Sequence, residues 1–165
     1  MKKTDSLKQR GKPMDFKIAM QKSAALCSRQ EQCSSHIREK LKLWKVKEED
    51  MEKIIKRLTE EKFLDDRRYA GFYAKDKFRF NGWGRIKIAQ MLRIKEIDEE
   101  FIAESLGHID NEEYQEACTT LIRSKAGKLA DPRGYARKGK LYRFASGRGF
   151  EADIIYRALR ACGEH

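Results

Sequence analysis

Ile88-Ala89-Gln90-Met91-Leu92-Arg93-Ile94-Lys95-Glu96-Ile97-Asp98-Glu99-Glu100-Phe101-Ile102-Ala103-Glu104-Ser105-Leu106 holds apolar side chains at 88, 92, 97, 102 and 106, with spacings of 4, 5, 5 and 4. A step of four places side chains on one face of a helix, so the stretch reads as an apolar helical stripe, a turn and a second stripe. The same pattern stands earlier at Ile37, Leu41, Val46, Met51 and Ile55, and later at Leu141, Ala145, Phe150, Ile155 and Leu159. The copies follow at steps of 51 and 53 residues (37 to 88, then 88 to 141). A fixed period of that size signals a tandem array of helical units, each burying its apolar face partly against its neighbours. The expected fold is all-α, an elongated array of three three-helix repeats, and a long surface suits a polymeric partner better than a small substrate.

Composition agrees with helices. The 165 residues include only two prolines, Pro13 and Pro132, and almost no β-branched runs. Hydrophobic residues make up 40%, enough for a core, while 38% charged residues and a mean hydropathy of −0.80 imply much exposed surface. The net charge of +11 favours an acidic partner, nucleic acid first and anionic membrane second. No apolar run approaches the roughly 18 residues a spanning helix needs. The basic stretch Met1 to Lys12 lacks the apolar core of a secretion signal. A cytoplasmic protein without a membrane partner is therefore expected. Cys27, Cys33, Cys118 and Cys162 fit scattered reduced thiols, and no metal-ligand spacing surrounds them.

Punctuation along the chain divides it into nine helices. A disordered basic arm is expected over residues 1–14, then repeats at 15–64, 65–110 and 111–165. Ser34 or Ser35 is a suitable N-cap for the second helix, and Glu48, Glu49 and Asp50 favour the start of the third. Asp65 caps the fourth helix, which Asn81-Gly82 ends. Asp131-Pro132 has the form of a cap followed by proline at the first helical position. Asn81-Gly82-Trp83-Gly84 reads as a tight interhelical turn whose glycines permit positive φ, with Trp83 covering the joint.

Charge alternates in blocks. Residues 75–95 hold seven basic side chains and one acid, Asp76; residues 96–116 hold nine acids and no Lys or Arg. Residues 117–149 return to nine basic side chains against Asp131. These blocks can be solvated faces that attract neighbouring helices. The functional reading places Lys87, Arg93, Arg137, Lys138, Lys140 and Arg143 on one basic surface of the middle helices, with Arg85 and Arg148 beside it.

Catalytic constellations are missing from the sequence. His36, His108 and His165 stand alone, and adjacent Asp65 and Asp66 diverge by about 100° on a helix. Gly147-Arg148-Gly149 is too short for a phosphate-binding loop. No enzyme, cofactor or metal is expected. Tyr69, Phe72, Tyr73, Phe78, Phe80 and Trp83 could stack bases, although packing between repeats accounts for such rings better.

Phe63-Leu64-Asp65-Asp66-Arg67-Arg68-Tyr69-Ala70 and Asn81-Gly82-Trp83-Gly84-Arg85-Ile86 resemble the central region of the bacterial RecX family. Arg148-Gly149-Phe150, followed by Ile154, Ile155 and Leu159, resembles the family's C-terminal end. The resemblance covers about residues 17–161, and Leu64-Asp65-Asp66 is its most specific part. One departure lies in copy one, where the family often has a Lys/Arg-Gly-Phe turn and this chain has Lys42-Leu43-Trp44-Lys45-Val46. The resemblance implies a curved array in which Asp65, Asp66, Arg68, Tyr69, Gly82, Trp83 and Gly84 form a structural motif. It also implies a monomer that binds the RecA recombinase filament on single-stranded DNA, or also double-stranded DNA. Such a protein limits filament extension, strand exchange and co-protease activity, and so acts in DNA repair and the SOS response. Two rivals remain open: a direct DNA-binding module of the helix-turn-helix kind, and a purely structural helical adaptor.

Overall fold

The fifteen positions of the repeated pattern all face inward: fourteen are buried and Leu106 is half-buried. In a computed structural model, which describes residues 12–130 and 134–164, nine α-helices occur among the described residues; twelve of the positions sit on six of them, and Val46, Ile97 and Phe150 lie in the turns between. The helices are α1 (Phe16–Arg29), α2 (Ser34–Leu43), α3 (Glu48–Glu60), α4 (Asp66–Asn81), α5 (Arg85–Ile94), α6 (Glu99–Gly107), α7 (Asn111–Ala126), α8 (Tyr135–Gly147) and α9 (Ala152–Ala161). No strand occurs among the described residues. Asp131-Pro132, His165 and residues 1–11 of the expected arm lie outside them. The arm's end is ordered: the Met14 amide donates to the Trp44 carbonyl at 3.2 Å, and Met14 packs on the core of the first repeat.

The turn between the second and third helix of each repeat is built three times in the same way. Lys45, Glu96 and Gly149 occupy equivalent positions and have φ of 57°, 58° and 91°. The next amide, of Val46, Ile97 or Phe150, donates back to the carbonyl of Leu41, Leu92 or Ala145 at 3.1, 3.1 and 3.3 Å. This is the Schellman arrangement, in which a left-handed residue lets orphan helix carbonyls find donors while the following apolar residue folds inward. The spacing of 5 in the sequence pattern is this turn. Copy one keeps it with Lys45 where glycine is the easier residue, so its departure from the family sequence leaves the shape unchanged.

Two compact units result, Met1–Tyr69 and Ala70–His165, with the division inside α4. In the first, α1 and α2 pack on α3 around Ala19, Ile37, Leu41, Met51, Ile54, Leu58 and Leu64. In the second, α5 packs on α6, and α7, α8 and α9 pack on one another. Fully buried Tyr114 stands at the centre of that unit, its ring 5.7 Å from Phe78 and 5.0 Å from Phe150. No helix among the described residues is long and apolar enough to cross a membrane.

Candidate functional site

Leu64-Asp65-Asp66 performs three structural tasks in sequence. Leu64 is buried in the first core. Asp65 accepts the Arg68 amide at 2.9 Å and so caps α4, as its position before the apolar run suggested. Asp66 accepts the Ser34 amide at 2.8 Å and thereby serves the start of α2, 32 residues away. The expected serine cap is replaced by this contact: Ser34 is already helical, and Cys33 before it makes no capping bond. Arg68 completes the corner, donating to Glu31 at 2.8 Å and to the Lys62 carbonyl at 3.3 Å. Tyr69 is half-buried beside it.

Asn81-Gly82-Trp83-Gly84 is a turn, but its two glycines are needed for different reasons. Gly82 has a left-handed φ of 62° in open space. Gly84 instead approaches Gly149 so closely that a Cβ would lie 2.2 Å from the Gly149 carbonyl oxygen. That approach lets the free amides at the start of α5 find partners in the third repeat. Gly84 donates to the Arg148 carbonyl at 2.8 Å, Arg85 to the Tyr114 hydroxyl at 2.8 Å, and Ile86 to the Gly149 carbonyl at 3.0 Å. The Tyr114 hydroxyl donates onward to Glu151 at 2.6 Å. Burial and the neighbouring Glu151 carboxylate push the Tyr114 hydroxyl well above its ordinary pKa.

The eight expected surface cations divide into several environments. Arg85 is half-buried, its guanidinium 4.1 Å over the Tyr114 ring and bonded to the Ile109 carbonyl and Asn111, both at 2.9 Å. Arg148 donates to the Asn81 carbonyl at 2.9 Å and lies over Phe144. Arg137, read from the sequence as a surface residue, is turned inward with its side chain 13% exposed. It bonds Glu164 at 2.9 Å and the Ala126 and Leu129 carbonyls, closing the end of α7 against the C-terminal segment. Arg93 is exposed and held by both oxygens of Glu99, which raises its pKa further. Lys140 and Arg143 are exposed on α8, and half-buried Lys138 lies 5.9 Å from the Tyr156 ring.

Lys87 belongs to a cluster that charge counting did not isolate. Its ammonium lies 4.5 Å over Trp83, where Lys77 also lies at 5.6 Å. Lys77 stands 5.4 Å over Tyr73, and Lys95 approaches the same ring at 5.7 Å. The seven-cation block at 75–95 was visible in the sequence, but which cations share rings depends on how the chain turns after α4.

No group of three or more His, Cys, Asp and Glu side chains able to hold a metal occurs among the described residues. Burial pushes the Cys27 thiol up to about 11 and the Cys118 thiol up to about 12, which disfavours the thiolate at both.

Residues 65–106 match the family model described as the second three-helix domain of RecX, and residues 112–159 match the third. The Regulatory protein RecX of Acinetobacter baylyi is 33% identical over 140 residues, 85% of this chain and 85% of its own length. That of Clostridium botulinum (strain Eklund 17B / Type B) is 35% identical over 121 residues, 72% of this chain but only 56% of its own length. Among solved structures, RecX from Lactobacillus salivarius matches with a TM-score of 0.83 at 20% identity, over 90% of this chain and 96% of that one. Its likeness bears on the fold, and on the three-helix units described above. The two domain matches and the identity to the Acinetobacter protein along most of both lengths establish the family: the chain belongs to the RecX regulatory proteins.

Proposed function

We propose that this chain is a cytoplasmic, monomeric negative regulator of the RecA recombinase. It binds the RecA filament on single-stranded DNA and limits filament extension, strand exchange and co-protease activity. The supporting observation is its 33% identity to a regulatory protein of this family over 85% of both chains. The chemistry of the chain is compatible with that role. Its net charge of +11 suits a partner containing DNA, and Lys140 and Arg143 project from α8 with Lys87 on α5. Regulation here is by binding, without a catalytic step.

Contacts with phosphates release counterions, so binding weakens with salt by a logarithmic slope near −0.7 for each single-strand phosphate neutralised. The deciding experiment measures RecA ATPase and strand exchange on single-stranded DNA, with the chain titrated far below the recombinase concentration. Inhibition at a substoichiometric ratio supports action on the filament. Inhibition only at ratios that coat the DNA indicates simple competition. No inhibition together with tight, sequence-dependent duplex binding defeats the proposal in favour of a DNA reader.

A further inference from the structure

Tyr73, Lys77 and Phe80 follow one another on α4 at steps of four and three, which places them within about 60° of arc on one helix face. Trp83 stands just past the turn, and Lys87 reaches it from α5. The order in space is Lys95, Tyr73, Lys77, Trp83, Lys87, with each lysine over a ring. Lys77 and Lys87 share the Trp83 ring, so their ammonium groups are no more than about 10 Å apart, the two ring distances added. Phe80 extends the stripe with its side chain 83% exposed. The fold makes no use of that ring, since Phe78, two residues earlier, is the one turned inward against Tyr114.

Several exposed arginines of the chain are held by carboxylates. Arg79, Arg93 and Arg157 are held by Glu113, Glu99 and Asp153. Lys87 forms no ion pair among the described residues, and the carboxylate beside Lys77 is that of neighbouring Asp76 at 4.0 Å. A ring fixes an ammonium group through its quadrupole without cancelling the charge. The patch therefore holds positive charge in place and leaves it available to an anion, with an uncovered aromatic face beside it.

We propose that Tyr73, Lys77, Phe80, Trp83 and Lys87 form a contact surface for a single DNA strand, the lysines meeting phosphates and Phe80 stacking on a base. A single strand offers both chemistries along its length. Duplex DNA keeps its bases stacked inside, and an acidic peptide gives the exposed ring no role. Stacking on an aromatic side chain tolerates any base, as a protein acting along arbitrary sequence requires. The proposal rests on the reading of the chain as a regulator of DNA-bound recombinase and names where it touches the strand.

The test is fluorescence anisotropy of a labelled oligothymidine titrated with the whole chain at several salt concentrations, alongside the same titration with duplex. Phe80→Ala should weaken single-strand binding about tenfold. The double variant Lys77→Gln/Lys87→Gln should reduce the salt slope by about 1.4, at roughly 0.7 per phosphate. Neither variant should change the melting temperature, because these side chains lie outside the core. With Trp44→Phe leaving Trp83 as the sole tryptophan, the oligonucleotide should quench its emission. Wild-type affinity in both variants would overturn the proposal. Equal losses on duplex, or displacement by polyglutamate as effective as by oligothymidine, would also overturn it, in the second case in favour of an acidic protein partner. Recombinase inhibition by the wild-type chain is scored separately. Oligonucleotide binding that is lost in these variants, without recombinase inhibition by the wild-type chain, removes the regulator reading and leaves the surface; inhibition that survives in both variants at unchanged DNA affinity does the reverse.

Discussion

Gly84 and Gly149 meet backbone to backbone: Gly84 donates to the carbonyl beside Gly149, and a Cβ on Gly149 would lie 2.4 Å from the Lys87 Cβ. The contact brings the N-terminus of α5 onto the α8–α9 turn, and with it Tyr114, Arg85 and Glu151 into a half-buried chain of hydrogen bonds. Two glycines in different repeats thus set the joint between them. Substitution of Gly84 and of Gly82 separates crowding from backbone strain.

Gly84→Ala should destabilise the second unit by about 3 kcal/mol or more, because backbone atoms must move to admit a methyl group. Gly82→Ala, with open space around it but a left-handed φ, should cost only about 1–2 kcal/mol. Chemical denaturation of the two variants checks the order. A smaller loss for Gly84→Ala would contradict the close approach.

Lys45 and Glu96 hold the left-handed turn position that Gly149 fills in the third repeat. Lys45→Gly and Glu96→Gly should each raise stability by up to about 1 kcal/mol, since glycine adopts this conformation without steric penalty. Thermal melting reads the gain. A loss at both positions would mean that the side chains, not the backbone angle, decide these turns.

Arg137 and Glu164 are both largely out of water, at 13% and 3% side-chain exposure. Arg137→Ala strands a buried carboxylate and leaves the Ala126 and Leu129 carbonyls without this donor, so it should cost about 3–5 kcal/mol. Lys140→Gln and Arg143→Gln, both exposed, should stay within about 0.5 kcal/mol of wild type. Equal melting of all three variants would show that Arg137 is not the clasp it forms here.

Alkaline pH should unfold the second unit through Tyr114 and Cys118. Both pKa values are raised by burial in the folded chain, so the folded state holds these protons more tightly than the unfolded one. Their contribution is fully present below the unfolded values, about 8.5 for the thiol and 10 for the phenol, and is lost as pH rises above them. Each proton adds a slope of roughly 1.4 kcal/mol per pH unit. Tyr114→Phe should flatten the loss above pH 10 while lowering stability at neutral pH by about 1–3 kcal/mol, because the Arg85 amide and Glu151 lose their shared partner. Denaturation midpoints across that range provide the check.

Period, composition and punctuation alone determined the helices, their grouping in threes and the inward-facing positions, because an amphipathic helix must bury its stripe wherever it stands in the chain. Asp65 was legible for the same reason: a cap acts within one turn of its own residue. Local pattern could not assign Asp66, whose oxygen serves a helix 32 residues away, nor distinguish Gly84 from Gly82, since only the approach of Gly149 makes the difference. It placed Arg137 outside with Lys138, although the folded chain directs one guanidinium into a buried corner and leaves its neighbour on a tyrosine ring. Charge counting found the basic block at 75–95; the path of the chain through the turn that carries Trp83 decided which lysines share its ring. Periodicity is a property of the chain, while the environment of a single charge depends on residues brought to it from distant sequence, and those the tertiary structure alone supplies.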